Sequence, residues 1–117
     1  MHGTLTTKRR DMVLRLKRRE ELERSLKLSS LEAMLRDFER VALDLEQQIA
    51  AEEARTEITD PAHCAYSTSA TAGRLRQSKL SITIADLRER LGSARREHEA
   101  MTIELRELEP LSSANSG

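Results

Sequence analysis

Apolar residues recur at every third or fourth position along two stretches of this chain. The first comprises Leu28, Leu31, Leu35, Phe38, Ala42, Leu45 and Ile49; the second comprises Leu80, Ile84, Leu87, Leu91, Ala94, Met101, Leu105 and Leu108, with His98 as its polar member. A mean spacing of about 3.5 residues lays one narrow stripe along an α-helix, and such a stripe is stable only when a second helix covers it. Between the stretches lies Asp60-Pro61-Ala62-His63-Cys64-Ala65-Tyr66-Ser67, which cannot continue a helix because proline disfavours the α conformation at the residue before it. The pattern therefore predicts an all-α fold: two long helices, about 5–57 and 68–109, joined by a loop at about 58–67 and folded into an antiparallel coiled-coil hairpin spanning 1–110. Residues 111–117 are small, polar and aperiodic, and are expected to form a disordered tail.

The frame is less regular near the start. Carried backward from Leu28, it places Arg24, Glu21 and Lys17 in the seam, while Met12, Val13, Leu16, Leu22 and Leu26 fall outside it. Apolar residues drive packing, so the sequence predicts a local change of register or a looser end there, with the first part of helix one packing on a different face. With residue 62 as the pivot, Leu45 is expected near Leu80, Phe38 near Leu87, Leu31 near Ala94 and Leu16 near Leu108.

Within the loop, Asp60 and Pro61 suit either a turn or the start of a short helical turn. Ser67, Thr68, Ser69 and Thr71 are candidate caps for helix two, and Gly73 weakens its beginning.

Composition narrows the fold further. Of 117 residues, 34% are charged and 38% hydrophobic, with Phe38 and Tyr66 the sole aromatics, so the chain can fill a two-helix seam but not a thick layered core. The formal net charge of zero and the periodic apolar residues argue against an unfolded chain. No apolar run approaches the roughly 20 residues needed to cross a bilayer. The first ten residues lack the apolar centre of a secretory signal, and the single cysteine, Cys64, cannot form an internal disulfide. A cytoplasmic protein is expected.

The neutral total conceals an axial polarity. Residues 1–30 carry nine Lys and Arg against four Asp and Glu, residues 31–60 carry three against nine, and the remainder eight against seven. The basic start includes Arg15, Lys17, Arg18 and Arg19, which are candidates for binding an acidic partner. In the hairpin they are also expected beside Glu104, Glu107 and Glu109, where exposed ion pairs contribute at most about 1 kcal/mol each and mainly select orientation.

Catalytic and cofactor signatures are missing from this sequence: there is no Gly-rich phosphate loop, no Gly-x-Ser-x-Gly elbow and no His-Glu-x-x-His pair. His63 and Cys64 are adjacent, but a structural zinc site needs about four ligands, and His2 and His98 are remote from them. No enzyme, no cofactor and no metal site is expected. A basic stretch ahead of leucine heptads also describes a basic-zipper DNA reader, but the stretch lacks the Asn used at base edges and an acidic shaft follows it at once. Nucleic acid is therefore not expected as a partner. A generic cytoplasmic coiled-coil adaptor or export chaperone fits the same composition.

Three segments together carry a likeness to a known family: Leu14-Arg15-Leu16-Lys17-Arg18; Met34-Leu35-Arg36-Asp37-Phe38-Glu39-Arg40 with Asp44-Leu45-Glu46; and the tip from Ala51 to Ser67, in which Asp60, Pro61, His63 and Tyr66 form an Asp-Pro-x-His-x-Ala-Tyr pattern. Over most of residues 12–109 the chain resembles the FliJ-type flagellar export proteins of alphaproteobacteria, departing from them at Cys64, where Phe is usual, and at Ser67, where Pro is usual. The resemblance implies a divergent or shortened member of that family. It implies a hairpin that acts like the central stalk of a rotary ATPase within the flagellar type III export apparatus, with the export ATPase, the export gate protein and export chaperones as partners. Membrane association would then arise only through those partners, at the cytoplasmic face. A helix of some forty residues would be roughly 60 Å long, enough to pass through a ring. Self-association is also allowed, because a two-helix hairpin buries only one stripe and gains from further pairing.

Overall fold

The computed structural model describes the backbone of residues 2–116 and the side chains of residues 6–109. It is an all-α helical hairpin of two helices, α1 (His2–Thr56) and α2 (Thr68–Ser116), with no strand among the described residues. By contact the chain divides into two compact units, one formed by Met1–Leu31 with Arg90–Gly117 and the other by Glu32–Glu89.

The second unit contains the turn. Its seam is mainly apolar from both sides: Leu45 and Ile49 from α1 are buried with Ala70, Ile84 and Leu87 from α2, and Leu35, Phe38, Ala42 and Leu80 are half-buried. All these positions continue the three-four alternation, which α2 extends back through Gln77 and Gly73 to Ala70. Gly73 is buried because the helices approach closely there. A Cβ at this position would lie 2.9 Å from Cγ1 of Ile49. The predicted register places Leu45 opposite Leu80 and hence Ile49 opposite position 76, so the observed contact is displaced by about one helical turn.

In the first unit the chains run antiparallel as well: Lys17 reaches Glu104 at 3.0 Å, and seven residues later Arg24 reaches Glu97 at 3.4 Å. These partners also lie about one turn from the predicted register. The predicted change of face does not occur. Leu14 is buried, Lys17, Glu21, Arg24, Leu28 and Leu31 are half-buried, and Met12, Leu16, Leu22 and Leu26 are 61, 54, 57 and 62% exposed. The heptad frame thus runs straight through the polar positions. The physical reason is that long Lys, Glu and Arg side chains lay their methylene stems over the partner while their charged ends reach its edge, and here α2 supplies the complementary Glu97, His98 and Glu104.

The ends also differ from expectation. Proline inside a helix removes a hydrogen bond and crowds the carbonyl four residues back, which is why the sequence predicts a stop near Pro110. The structure nevertheless carries α2 to Ser116, so residues 111–116, expected as a disordered tail, have a helical backbone; Gly117 lies outside the described residues.

Candidate functional site

Two places carry candidate residues, one in each unit. At the tip, α1 ends as Glu57 turns into the left-handed region at φ 61°, a role glycine usually fills. Asp60 and Pro61 then form a turn rather than a short helix: the His63 N–H donates to the Asp60 carbonyl at 3.0 Å, and the Ala62 N–H donates to the Asp60 side chain at 2.9 Å. A second turn follows, in which the Tyr66 N–H donates to the His63 carbonyl at 3.1 Å and the Ala65 N–H donates to Nδ1 of His63 at 2.9 Å. The latter bond requires Nδ1 to be the unprotonated nitrogen of the ring.

Tyr66 is held against α2 by Arg74, which also reaches α1. Its hydroxyl accepts from Nε of Arg74 at 2.8 Å, the same guanidinium reaches Glu53 at 3.0 Å, and Cζ of Arg74 sits 5.9 Å from the ring centroid. Ser67 caps α2: its Oγ accepts from the Ala70 N–H at 3.2 Å and donates to Oε1 of Glu52 at 2.7 Å. Glu52 is also bonded by Arg55, and these contacts, Arg55 first and Ser67 second, hold its carboxyl down at about 2 rather than the ordinary 4.5. Asp60, Pro61 and His63 are exposed and Tyr66 is half-buried; hydrogen bonds link Asp60 to His63 and His63 to Tyr66, and Pro61 lies within the first turn.

The four predicted basic residues are not brought together. Lys17 is turned into the seam and bonded to Glu104, which raises its pKa, and Arg18 lies 3.7 Å from Glu109. Arg15 and Arg19 are exposed and have no ion pair among the described residues. One helix therefore directs Lys17 into the seam, leaves Arg18 exposed on its flank beside Glu109, and points Arg15 and Arg19 outward, as a turn of about 100° per residue dictates.

Comparison with family models, curated proteins and solved structures returned no match.

Sequence reasoning missed Glu52, Glu53, Arg74 and Glu21. Glu52 carried a signal, because it follows Ile49 by three residues and so extends the seam frame to the N-terminus of α2, where a carboxylate is favoured. Glu21 also lay in the extrapolated frame; its Oε1 is 2.9 Å from Nε2 of His98, and both side chains are partly buried. His98 thus has a carboxylate partner within the seam. Among the described residues no three His, Cys, Asp or Glu side chains converge on a common point, Cys64 is exposed, and no helix is long and apolar enough to cross a membrane.

Proposed function

We propose that this chain is a non-enzymatic coiled-coil component of the flagellar type III protein export apparatus, a stalk-like partner of the export ATPase and the export gate. What supports the reading is the tip: Asp60, Pro61, His63 and Tyr66, the residues most specific to the FliJ-type resemblance, all lie in two consecutive turns between antiparallel helices. That gives the motif a structural meaning that heptads alone lack. In this reading Arg15 and Arg19 meet acidic surfaces of the ATPase, because Lys17 and Arg18 are occupied by Glu104 and Glu109.

The test is capture of the export ATPase by the immobilised full chain. Arg15→Glu with Arg19→Glu weakens capture by about tenfold or more while helicity stays unchanged. A wild-type chain that captures neither the ATPase nor the gate protein removes the export reading and leaves a generic coiled-coil adaptor. Capture that persists unchanged in the double variant removes the assignment of these two arginines.

A further inference from the structure

The outward side of α1 in the first unit carries a second three-four stripe, Leu16, Arg19, Glu23 and Leu26, directed away from the seam formed by Leu14, Lys17, Glu21 and Arg24. All four residues are exposed, Leu16 by 54% and Leu26 by 62%, and neighbouring Leu22 is 57% exposed. Arg19 and Glu23 have no ion pair among the described residues, although most charges near them are engaged: Lys17 with Glu104, Arg18 with Glu109, Arg24 and Lys27 with Glu97.

The order apolar, Arg, Glu, apolar reads as its own complement when reversed. We propose that this face is an isologous interface with a second copy of the chain, the two α1 helices packing antiparallel. Leu16 then meets Leu26 of the second copy and Arg19 meets Glu23 of the second copy, with position 21 level with the two-fold axis. Each contact occurs twice, as two-fold symmetry requires, and no like charges face each other along the stripe. An anionic membrane surface fits less well, because Glu23 lies in the centre of the stripe and would have to enter the headgroup layer beside the leucines. An unrelated acidic helix would satisfy Arg19 but leave Glu23 facing like charge.

The interface goes beyond the export reading; both call on Arg19, so a chain bound to the ATPase through that residue is not paired through this face. The experiment is sedimentation equilibrium of the full chain under reducing conditions, which exclude a disulfide through Cys64. The wild type is expected to show a reversible monomer–dimer equilibrium. Arg19→Glu alone, or Glu23→Arg alone, places like charges in both symmetry-related contacts and weakens the dimer by about tenfold or more. An equimolar mixture of the two variants restores it, because in the mixed dimer one contact joins the two substituted positions, the other joins the two native ones, and both again pair opposite charges. Circular dichroism is expected to be unchanged in both variants, since both side chains are exposed.

A wild type that stays monomeric to millimolar concentration overturns the proposal, as does a mixture that stays as monomeric as its components. A monomer that instead binds vesicles of anionic lipid, or an acidic helical peptide, also overturns it and assigns the face to that occupant. Glu23→Arg retains Arg15 and Arg19, so capture of the export ATPase by this variant separates failure of the dimer from failure of the export reading.

Discussion

In the unit that holds the turn, α1 and α2 meet through Leu45, Ile49, Ile84 and Leu87; in the other, α2 presents Leu91, Ala94, Met101 and Leu105 to an α1 ridge that carries Lys17, Glu21 and Arg24. The heptad geometry is the same in both, but the chemistry is not. The first seam removes apolar surface from water on both sides and gains about 25 cal/mol for each Å². The second covers one apolar ridge with Leu14, Leu28 and Leu31 and, between them, the charged residues Lys17, Glu21 and Arg24, whose ion pairs are partly solvated and add little stability. Periodicity therefore decides which residues face inward, while side-chain chemistry decides what that inward position is worth. Polar seam residues also fix which positions meet, a role best documented for register in coiled coils.

The comparison is broken most severely by removing an apolar layer from the turn unit. Leu87 is 4% exposed, and Leu87→Ala is expected to cost about 3 kcal/mol in chemical denaturation, the lost transfer energy plus a cavity. Leu22→Ala, at an exposed position of the other unit, is expected to change stability by less than about 0.5 kcal/mol in dilute solution. Equal costs for the two would show that the burial pattern does not describe the folded protein.

A second change makes the two units alike. Replacing the Glu21–His98 pair with leucines in Glu21→Leu/His98→Leu gives the polar layer the chemistry of the turn unit, and is expected to stabilise the chain by about 1–2 kcal/mol, as exchange of partly buried polar groups for apolar residues often does. Native-state hydrogen exchange should then show stronger protection across residues 14–28. Loss of stability in the double variant would mean that the pair supports the fold rather than selecting its alignment.

Much of this architecture can be read from the sequence, and the errors have particular causes. The spacing of Leu28 to Ile49 and of Leu80 to Leu108 identifies both ridges, and Pro61 locates the reversal. The misreading begins where apolar content and heptad arithmetic disagree: Met12, Leu16, Leu22 and Leu26 are expected to pull the helix to another face, yet they point outward while Lys17, Glu21 and Arg24 keep the frame. Hydrophobicity is a poor guide there because α2 supplies Glu97, His98 and Glu104 at matching positions, a fact available only once the register is known. At the tip the turn residues and the cap can be anticipated, since Asp, Pro and Ser act locally. The bonds of Arg74 to Tyr66 and Glu53 cannot, because Glu53 and Arg74 lie 21 positions apart and meet only through the close packing of the two helices.

Gly73 sharpens the comparison within the apolar seam. In an isolated helix, Gly→Ala gains up to about 1 kcal/mol, and on sequence grounds Gly73 only weakens α2. Its added Cβ would press on Cγ1 of Ile49 at 2.9 Å, and overpacking typically costs about 1–3 kcal/mol. A net destabilisation of about 1 kcal/mol is expected for Gly73→Ala. A double-mutant cycle checks the cause: Ile49→Ala should cost less in the Gly73→Ala background than in the wild type, and additivity would remove the close approach as the reason for glycine.

The smallest effect concerns acid. Glu52 has its carboxyl held down to about 2 by the hydrogen bond from Arg55 and, secondarily, by that from Ser67. A depressed folded-state pKa contributes stability that is fully present above the unfolded value near 4.5 and is lost as pH falls through about 2. The Ser67 cap should therefore weaken only across that window, a change confined to the turn unit because Glu52 and Ser67 both lie there. Carbon-detected NMR titration of the Glu52 carboxyl tests this directly. Arg55→Gln should raise the midpoint more than Ser67→Ala, because the arginine bond is the larger cause. A midpoint near 4.5 in the wild type would mean that the carboxylate does not hold the start of α2, leaving the Ser67 hydroxyl as its cap.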